Sequence, residues 1–434
     1  MFVAITLRVM TAAAECGVHP AAANLTRSVR ATLANRQPAS SFRHSAALDW
    51  PPFRPCFWAN RMNASATASD HVAAVLKLAL TPGVGPRTYQ ALIEYFGSAE
   101  VAAVAAPSEL RKVAGVGPKL MRAIVDARAS LDVEEELRLC REQNVGVLTI
   151  DDESYPKTLR EIHNPPSVLF VRGAWQPSDA LAIAIVGTRH ATSYGVRQAE
   201  RLAMGLANAG LTIISGLARG IDAAAHRGAL AAGGRTIAVL GSGVLNVYPP
   251  EHADLAEQVI THGALISEAP PRSQPHSGLF PQRNRLITGL SLGVIVVEAA
   301  QRSGALISAE HAMEQGREVF AVPGPIDSRT SRGCHQLIRD GAKLVESVDD
   351  VLDELGPMFA AAPRDDGREV RHPGELLLNE QEQAVLDATT TEPTTVDEIV
   401  VRSGLPVHRV LATMSVLEMR RLIRRLSGSQ VVRV

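Results

Sequence analysis

Short apolar runs alternating with helical patterns constrain this chain more than any other feature. The runs are Leu181–Val186, Leu211–Ser215, Thr236–Leu240, Ala264–Ser267, Leu292–Glu298 and Glu318–Val322, with a weaker one at Lys343–Val345. Between them lie helix-like stretches, among them Tyr194–Ala209, Ile221–Ala232 and Ala305–Gln315. A strand that is apolar throughout, rather than at every second residue, is covered on both faces. Strand–helix alternation supplies that cover, so the expected class is α/β, with a doubly wound parallel sheet.

Ala182–Asp222 adds chemistry to that frame. Its two strands end in Gly187-Thr188-Arg189 and in Ser215-Gly216-Leu217-Ala218-Arg219-Gly220-Ile221-Asp222, and the second turn runs straight into a helix. Glycine turns and a helix N-terminus at the carboxyl edge of a parallel sheet offer N–H donors to an anion. Arg189 and Arg219 add guanidiniums suited to phosphate. One such loop alone reads as a plain βα turn; two adjacent loops, both with Arg, read as an anion site. A third segment, Phe280-Pro281-Gln282-Arg283-Asn284-Arg285, follows the fourth strand and is expected to precede a helix. Arg283 and Arg285 suit phosphates, the Asn284 amide a base or sugar, and the Phe280 ring a stacked base, as a single strand of nucleic acid requires. The bland alternative is a surface helix start with a core Phe280.

Two further groups are read chiefly as structural. Glu298 ends the fifth run beside Arg302-Ser303-Gly304; it suits a catalytic carboxylate, a ribose contact, or a partner for a helix N-terminus, Arg189 or Arg285. Asp222 and His226 stand four apart on one helix face, as a catalytic pair or, more simply, a cap and a satisfied core histidine.

Several classes drop out. There is no G-x-x-x-x-G-K-[ST], and Gly241-Ser242-Gly243 lacks the third glycine of a dinucleotide site and follows the wrong strand, so no cofactor is expected. Ser215 is not in a nucleophile elbow. Cys16, Cys56, Cys140 and Cys334 form no metal spacing, and a reduced cytoplasmic protein is expected. No apolar run is long enough to span a membrane. Net charge is −1, so any nucleic-acid surface is local. Lysines are few (Lys77, Lys112, Lys119, Lys157 and Lys343), so the many arginines reflect base composition and single surface arginines carry little weight.

The flanks differ. Residues 1–61 are rich in Arg, with only Glu15 and Asp49 as acids and no periodicity. The expectation over 1–70 is a disordered extension, or one outside the true frame with Met62 as start; a transit peptide has similar composition. Residues 71–145 hold a repeat: Gly83–Pro86 and Gly115–Pro118 both read Gly-Val-Gly-Pro between helical patterns. It resembles helix-hairpin-helix modules, in which Gly83, Gly85, Gly115, Gly117 and Lys119, with Arg87, would meet a DNA phosphate; a purely structural αα-hairpin is the alternative. Residues 146–355 form the main domain, 356–374 a Pro/Gly-punctuated linker. Residues 375–434 give helices near Glu380–Thr389, Thr395–Ser403 and Val407–Leu422 and a hairpin around Gly428, resembling a winged helix. Arg409, Arg420, Arg421, Arg424 and Arg425 cluster late in it rather than along a recognition face.

Taken in order, IVGTR, SGLARGID, LGSGVLNVYPPEH, FPQRNRLITGLS, SGALISAEHAMEQGREVFAVPG and SRGCHQLIRDGA resemble the DNA-processing protein A (DprA, Smf) family over residues 75–350. The resemblance implies a Rossmann-like domain that binds single-stranded DNA, protects incoming strands and loads the RecA recombinase in natural transformation, as a homodimer and without enzymatic activity. It implies that Gly187, Thr188, Ser215, Gly216 and Gly220 shape a pocket lined by Arg189, Arg219, Arg283 and Arg285, with Phe280 and Asn284 on the nucleic acid. His335 departs from the family's usual Asn and bears only on that turn. The competing reading is a nucleotide-cleaving phosphoribohydrolase, whose paired glycines are absent at VEAAQRSGALISAE.

Overall fold

A computed structural model describes residues 66–359, 362–363, 369–370, 378, 380–419, 422–426 and 430–433. These residues belong to one compact unit, Pro55–Val434. The expected extension up to residue 65, most of the 356–374 linker, Arg420, Arg421 and Gly428 lie outside the described residues.

Six helices come first: α1 Ala66–Ala79, α2 Pro86–Phe96, α3 Ala99–Val104, α4 Pro107–Leu110, α5 Pro118–Ser130 and α6 Val133–Glu142. Both Gly-Val-Gly-Pro repeats turn the chain between helices. Gly83 and Gly115 take φ of +93° and +84°, which a side chain would resist, and Pro86 and Pro118 open α2 and α5, where no N–H is missed. Leu76, Leu92, Leu110 and Ile124 fill the space between these helices.

The centre is a nine-stranded sheet in the order β1-β2-β6-β5-β4-β3-β7-β8-β9. Its strands are β1 Val145–Thr149, β2 Val168–Gly173, β3 Ala182–Val186, β4 Thr212–Ser215, β5 Thr236–Val239, β6 Ala264–Ser267, β7 Gly293–Val296, β8 Glu318–Ala321 and β9 Lys343–Leu344. The helices between them are α7 Lys157–Arg160, α8 Ser193–Asn208, α9 Ile221–Ala231, α10 Ala253–His262, α11 Leu279–Gly289, α12 Gly304–Glu314 and α13 Arg332–Arg339. From β3 to β9 every pairing is parallel, and the chain builds outward from β3 to β6, then returns to place β7 on β3's other side. The switch point between β3 and β7 opens a crevice at the carboxyl edge.

The all-parallel expectation needs one correction: β1 and β2 pair antiparallel, and β2 joins β6 antiparallel. Phe170 and Leu169 on β2 are fully buried, so this extra antiparallel pair covers an edge that would otherwise be open. Helix α14, Val348–Phe359, also runs into the stretch expected as linker, because Val351, Leu352 and Leu355 anchor it against the sheet core. The two-residue strands β10 Ala362–Pro363 and β11 Glu369–Val370 pair within the linker stretch.

The C-terminal part has α15 Glu380–Ala388, β12 Thr394–Thr395, α16 Val396–Ser403, α17 Val407–Met419, β13 Ile423–Arg425 and β14 Gln430–Arg433. Three helices and a three-stranded sheet in the order β12-β14-β13 share a small core of Leu386, Ile399, Val410, Met414, Leu417 and Val431. Thr395 and Glu398 close a reciprocal capping box on α16. Cys140 and Cys334 are buried with free thiols, and burial pushes both up to about 12. Among the described residues no helix is long and apolar enough to cross a membrane.

Candidate functional site

The loops after β3, β4 and β5 and the start of α11 border a small cleft, open to solvent. Arg189, Gly216, Ala218, Arg219, Tyr248, Pro249, Phe280 and Arg283 line it. The Arg189 guanidinium lies 5.0 Å over the Phe280 ring, and the Tyr248 ring lies 5.7 Å from the same ring at an interplanar angle of 40°. The result is a cation held on a two-ring platform. A cation–π contact at an exposed site contributes about 0.5–1 kcal/mol, enough to orient the cation without neutralising it. Arg219, also exposed, pairs with Glu251.

Arg283 plays another part. It is 6% exposed and donates to the carbonyls of Gly216, at 2.8 Å, and Val239. It thereby ties the ends of β4 and β5 together while its guanidinium forms the cleft floor. Burial holds it down at about 10, so it remains a cation at neutral pH. A Cβ on Gly216 would lie 2.3 Å from the Arg283 guanidinium, so any larger residue there would displace Arg283 from the floor. Arg285, two residues on, faces away: its Nη2 donates to both carboxylate oxygens of Glu268, at 2.7 and 2.8 Å. Residues two apart on a helix project to different sides, so the two arginines cannot serve one cleft. The expectation that Arg285 lines the pocket is corrected accordingly.

Phe280–Arg285 lies inside α11 rather than before it. Pro281 does not prevent this, since in the first helical turn its missing N–H has no intrahelical partner to lose. Asn284 is engaged within the protein: its Nδ2 donates to the Gly304 carbonyl at 3.3 Å and its Oδ1 accepts from Arg283 Nε at 3.3 Å.

The second loop differs from expectation in its donors. The N–H groups of Gly216 and Ala218 point inward to the Asp222 carboxylate at 3.2 and 3.4 Å, not outward to a ligand. Ser215 donates its hydroxyl to the Ile185 carbonyl at 2.6 Å. Burial raises the pKa of Asp222, opposed by the Arg283 charge. The loop supplies shape and a cation rather than an amide nest. Gly220, at φ +76°, packs on the Thr188 carbonyl, where a Cβ would come within 2.3 Å. Gly187 is similarly closed in by Ile221, and Thr188 donates its N–H to the Glu298 carbonyl at 2.7 Å.

Glu298 is buried in the loop after β7. Its carboxylate accepts from the Thr192 N–H at 2.9 Å, the Thr192 hydroxyl at 2.6 Å and the Thr330 hydroxyl at 3.2 Å. It holds Thr192, the N-cap residue of α8, and joins three loops, which fits the structural reading. His226 is fully buried, with Nδ1 2.7 Å from the Thr236 hydroxyl, and does not reach the cleft lining. His335 Nε2 donates to the Gly324 carbonyl at 3.0 Å, closing its own turn.

Of the helix-hairpin-helix residues, Gly83, Gly85, Gly115, Gly117 and Lys119 are all exposed at their turns. Arg87 is not free: it bonds Asn164 at 2.9 Å and His163 at 2.7 Å. Sequence reasoning gave no role to Tyr248 and Pro249; the signal was present in the YPP that follows the third strand's glycine loop. Among the described residues no cluster of His, Cys, Asp and Glu suits a metal ion.

Residues 146–356 match the family described as DNA recombination-mediator protein A, 369–429 match the DprA winged helix domain, and 75–129 match the SAM-like helix-hairpin-helix tandem. Protein Smf of Synechocystis is 35% identical over 384 residues, 81% of this chain and 96% of that protein. DNA processing protein DprA of Streptococcus pneumoniae is 46% identical over 213 residues, 49% of this chain and 75% of that protein. The X-ray structure of DNA processing protein A from Streptococcus pneumoniae superposes with a TM-score of 0.58 at 37% identity, covering 66% of this chain and 97% of that one.

Proposed function

This chain belongs to the DNA-processing protein A (DprA, Smf) family and has a DNA-processing role in recombination; from that premise we propose that it binds single-stranded DNA at the carboxyl edge of its sheet, without cleaving it. The observation that carries the reading is the Arg189–Phe280–Tyr248 platform: an exposed cation beside two rings, open on one side. A single strand offers phosphates to the cations and unstacked bases to the rings. Stacking on such rings contributes about 1–3 kcal/mol per base and is indifferent to sequence.

Binding rather than catalysis is supported by where the carboxylates go. Asp222 and Glu298, the two buried acids nearest the loops, are both occupied by backbone N–H groups. Protection of incoming strands, delivery to the RecA recombinase during natural transformation, homodimerisation and residence in the cytoplasm belong to the same proposal, on the strength of the family resemblance.

The test is filter binding of oligonucleotides across a salt series. With about three or four phosphates neutralised, log K falls against log salt with a slope near −2 to −3, at about −0.7 per phosphate. Arg189→Ala weakens binding alike for all sequences and makes the slope shallower by about one phosphate's share. A flat salt response, or equal affinity for duplex of the same length, rejects the reading. Release of free base from a nucleotide, lost in Glu298→Ala, would establish an enzyme instead.

A further inference from the structure

Beyond the cleft, on the other side of the switch point, lies a second basic surface. Arg302 follows β7, Arg329 lies in the loop after β8, and Arg332 opens α13. All three are exposed, and among the described residues none has an ion-pair or hydrogen-bond partner. Arg138, Arg219 and Arg425, also exposed, each face a glutamate, whereas these three stand in the connections after adjacent strands, at the carboxyl edge of the sheet, with no acid paired to them. The only exposed acid in the loop from Val322 to Ser331 is Asp327, so the surface keeps an excess of positive charge.

The platform beneath these arginines is tied down. Ala299 N–H donates to the Thr330 carbonyl at 2.7 Å, and Gly333 N–H to the Ala299 carbonyl at 2.8 Å. Thr330 reaches Glu298 and Ser328, and the Tyr194 hydroxyl holds the Pro323 carbonyl at 2.7 Å. At the tip stands Ile326, at 89% exposure more open than any other large apolar side chain among the described residues. The surface joins the cleft directly: Thr188, next to Arg189, donates to the Glu298 carbonyl, and Asn284 on α11 donates to Gly304 at the start of α12. Strands β3, β7 and β8 are neighbours, so the step from the β3 loop to the β8 loop is about 10 Å, on the order of two or three nucleotides.

Resting on the single-strand reading above, we propose that the bound strand leaves the Arg189–Phe280 cleft across the switch point and runs over the loops after β7 and β8. Arg302, Arg329 and Arg332 meet its phosphates, and Ile326 lies against a base. The cleft is thus one end of a longer track, and strand length is read by the second half.

Fluorescence anisotropy with oligo-dT of about 5 and about 15 nucleotides, each over a salt series, tests this. The variant carries Arg302→Gln, Arg329→Gln and Arg332→Gln, all at exposed positions, with its melting curve checked against the parent. For the longer oligonucleotide the salt slope becomes shallower by about 2, three phosphates at about 0.7 each. The shorter one, with only about four phosphates to place, changes its slope by less than the longer one. An unchanged slope on the longer oligonucleotide overturns the track while leaving cleft binding standing. A matching change on a duplex, with none on the single strand, assigns the surface to duplex and equally overturns it. Failure of the parent to bind either oligonucleotide removes the functional reading itself.

Discussion

At the scale of single residues, the cleft depends on side chains that do two jobs. Arg283 offers positive charge to the opening and two hydrogen bonds to buried carbonyls, and nothing in its sequence context separates those roles. Sequence motifs named Arg189, Arg219, Phe280 and Arg283, and the structure brings these four to one opening. They could not show that the Gly216 and Ala218 amides are taken by Asp222, because one turn sequence admits either orientation of its N–H groups. The YPP motif marks Tyr248 as unusual, but only the fold shows that its ring reaches Phe280. His226 gives the pH dependence expected at this scale. Burial first, then the nearby positive charges, lower it from its ordinary 6.5 to about 3. The unfolded chain therefore binds a proton that the folded one refuses between those values. The stability from keeping His226 neutral is fully present above about pH 6.5 and is lost as pH falls toward 3. His226→Gln removes that proton, so its melting temperature declines less steeply than the parent's between pH 7 and pH 4. Parallel declines would refute the assignment.

At the scale of elements, the sheet from β3 to β8 was legible because strands covered on both faces carry unbroken apolar runs. The antiparallel join of β2 to β6 was not, since periodicity reports burial and is silent on direction. Strand ends were also overrun: the apolar run Leu292–Glu298 continues past β7, because Val297 and Glu298 are buried in a loop rather than a ladder. That loop makes Glu298 a knot between the turns after β3 and β8 and the start of α8. Glu298→Ala leaves the Thr192 N–H and two hydroxyls without their acceptor. These donors are only part-buried and water can reach them, so their loss costs about 1 kcal/mol. The expected outcome is a lower urea midpoint at unchanged m-value, with single-strand affinity reduced but its salt slope kept, since every cleft cation remains. Loss of slope along with affinity would mean that Glu298 acts on the ligand and not on the loops.

For the whole molecule, the described residues divide their apolar interior among separate cores. The N-terminal helices share one with the outer face of the sheet, and the C-terminal helices and strands have another of their own. Two of these regions carry their own reporter. Cys140 sits in α6, in the helical core, and Cys334 in α13, under the β7 end, with its thiol toward the Val296 and Val297 carbonyls. A thiol held at about 12 and fully covered does not react with a disulfide reagent until its surroundings open. With Cys16→Ser and Cys56→Ser in place, the two labelling rates become independent clocks for opening at either end of the sheet. Adding an oligonucleotide should slow the Cys334 clock more than the Cys140 clock, as ligand bound across the switch point suppresses local opening there. Equal slowing would mean that the two regions breathe as one body. The buried cysteines thus give the protein a built-in stopwatch, with ligand occupancy readable as time rather than as affinity.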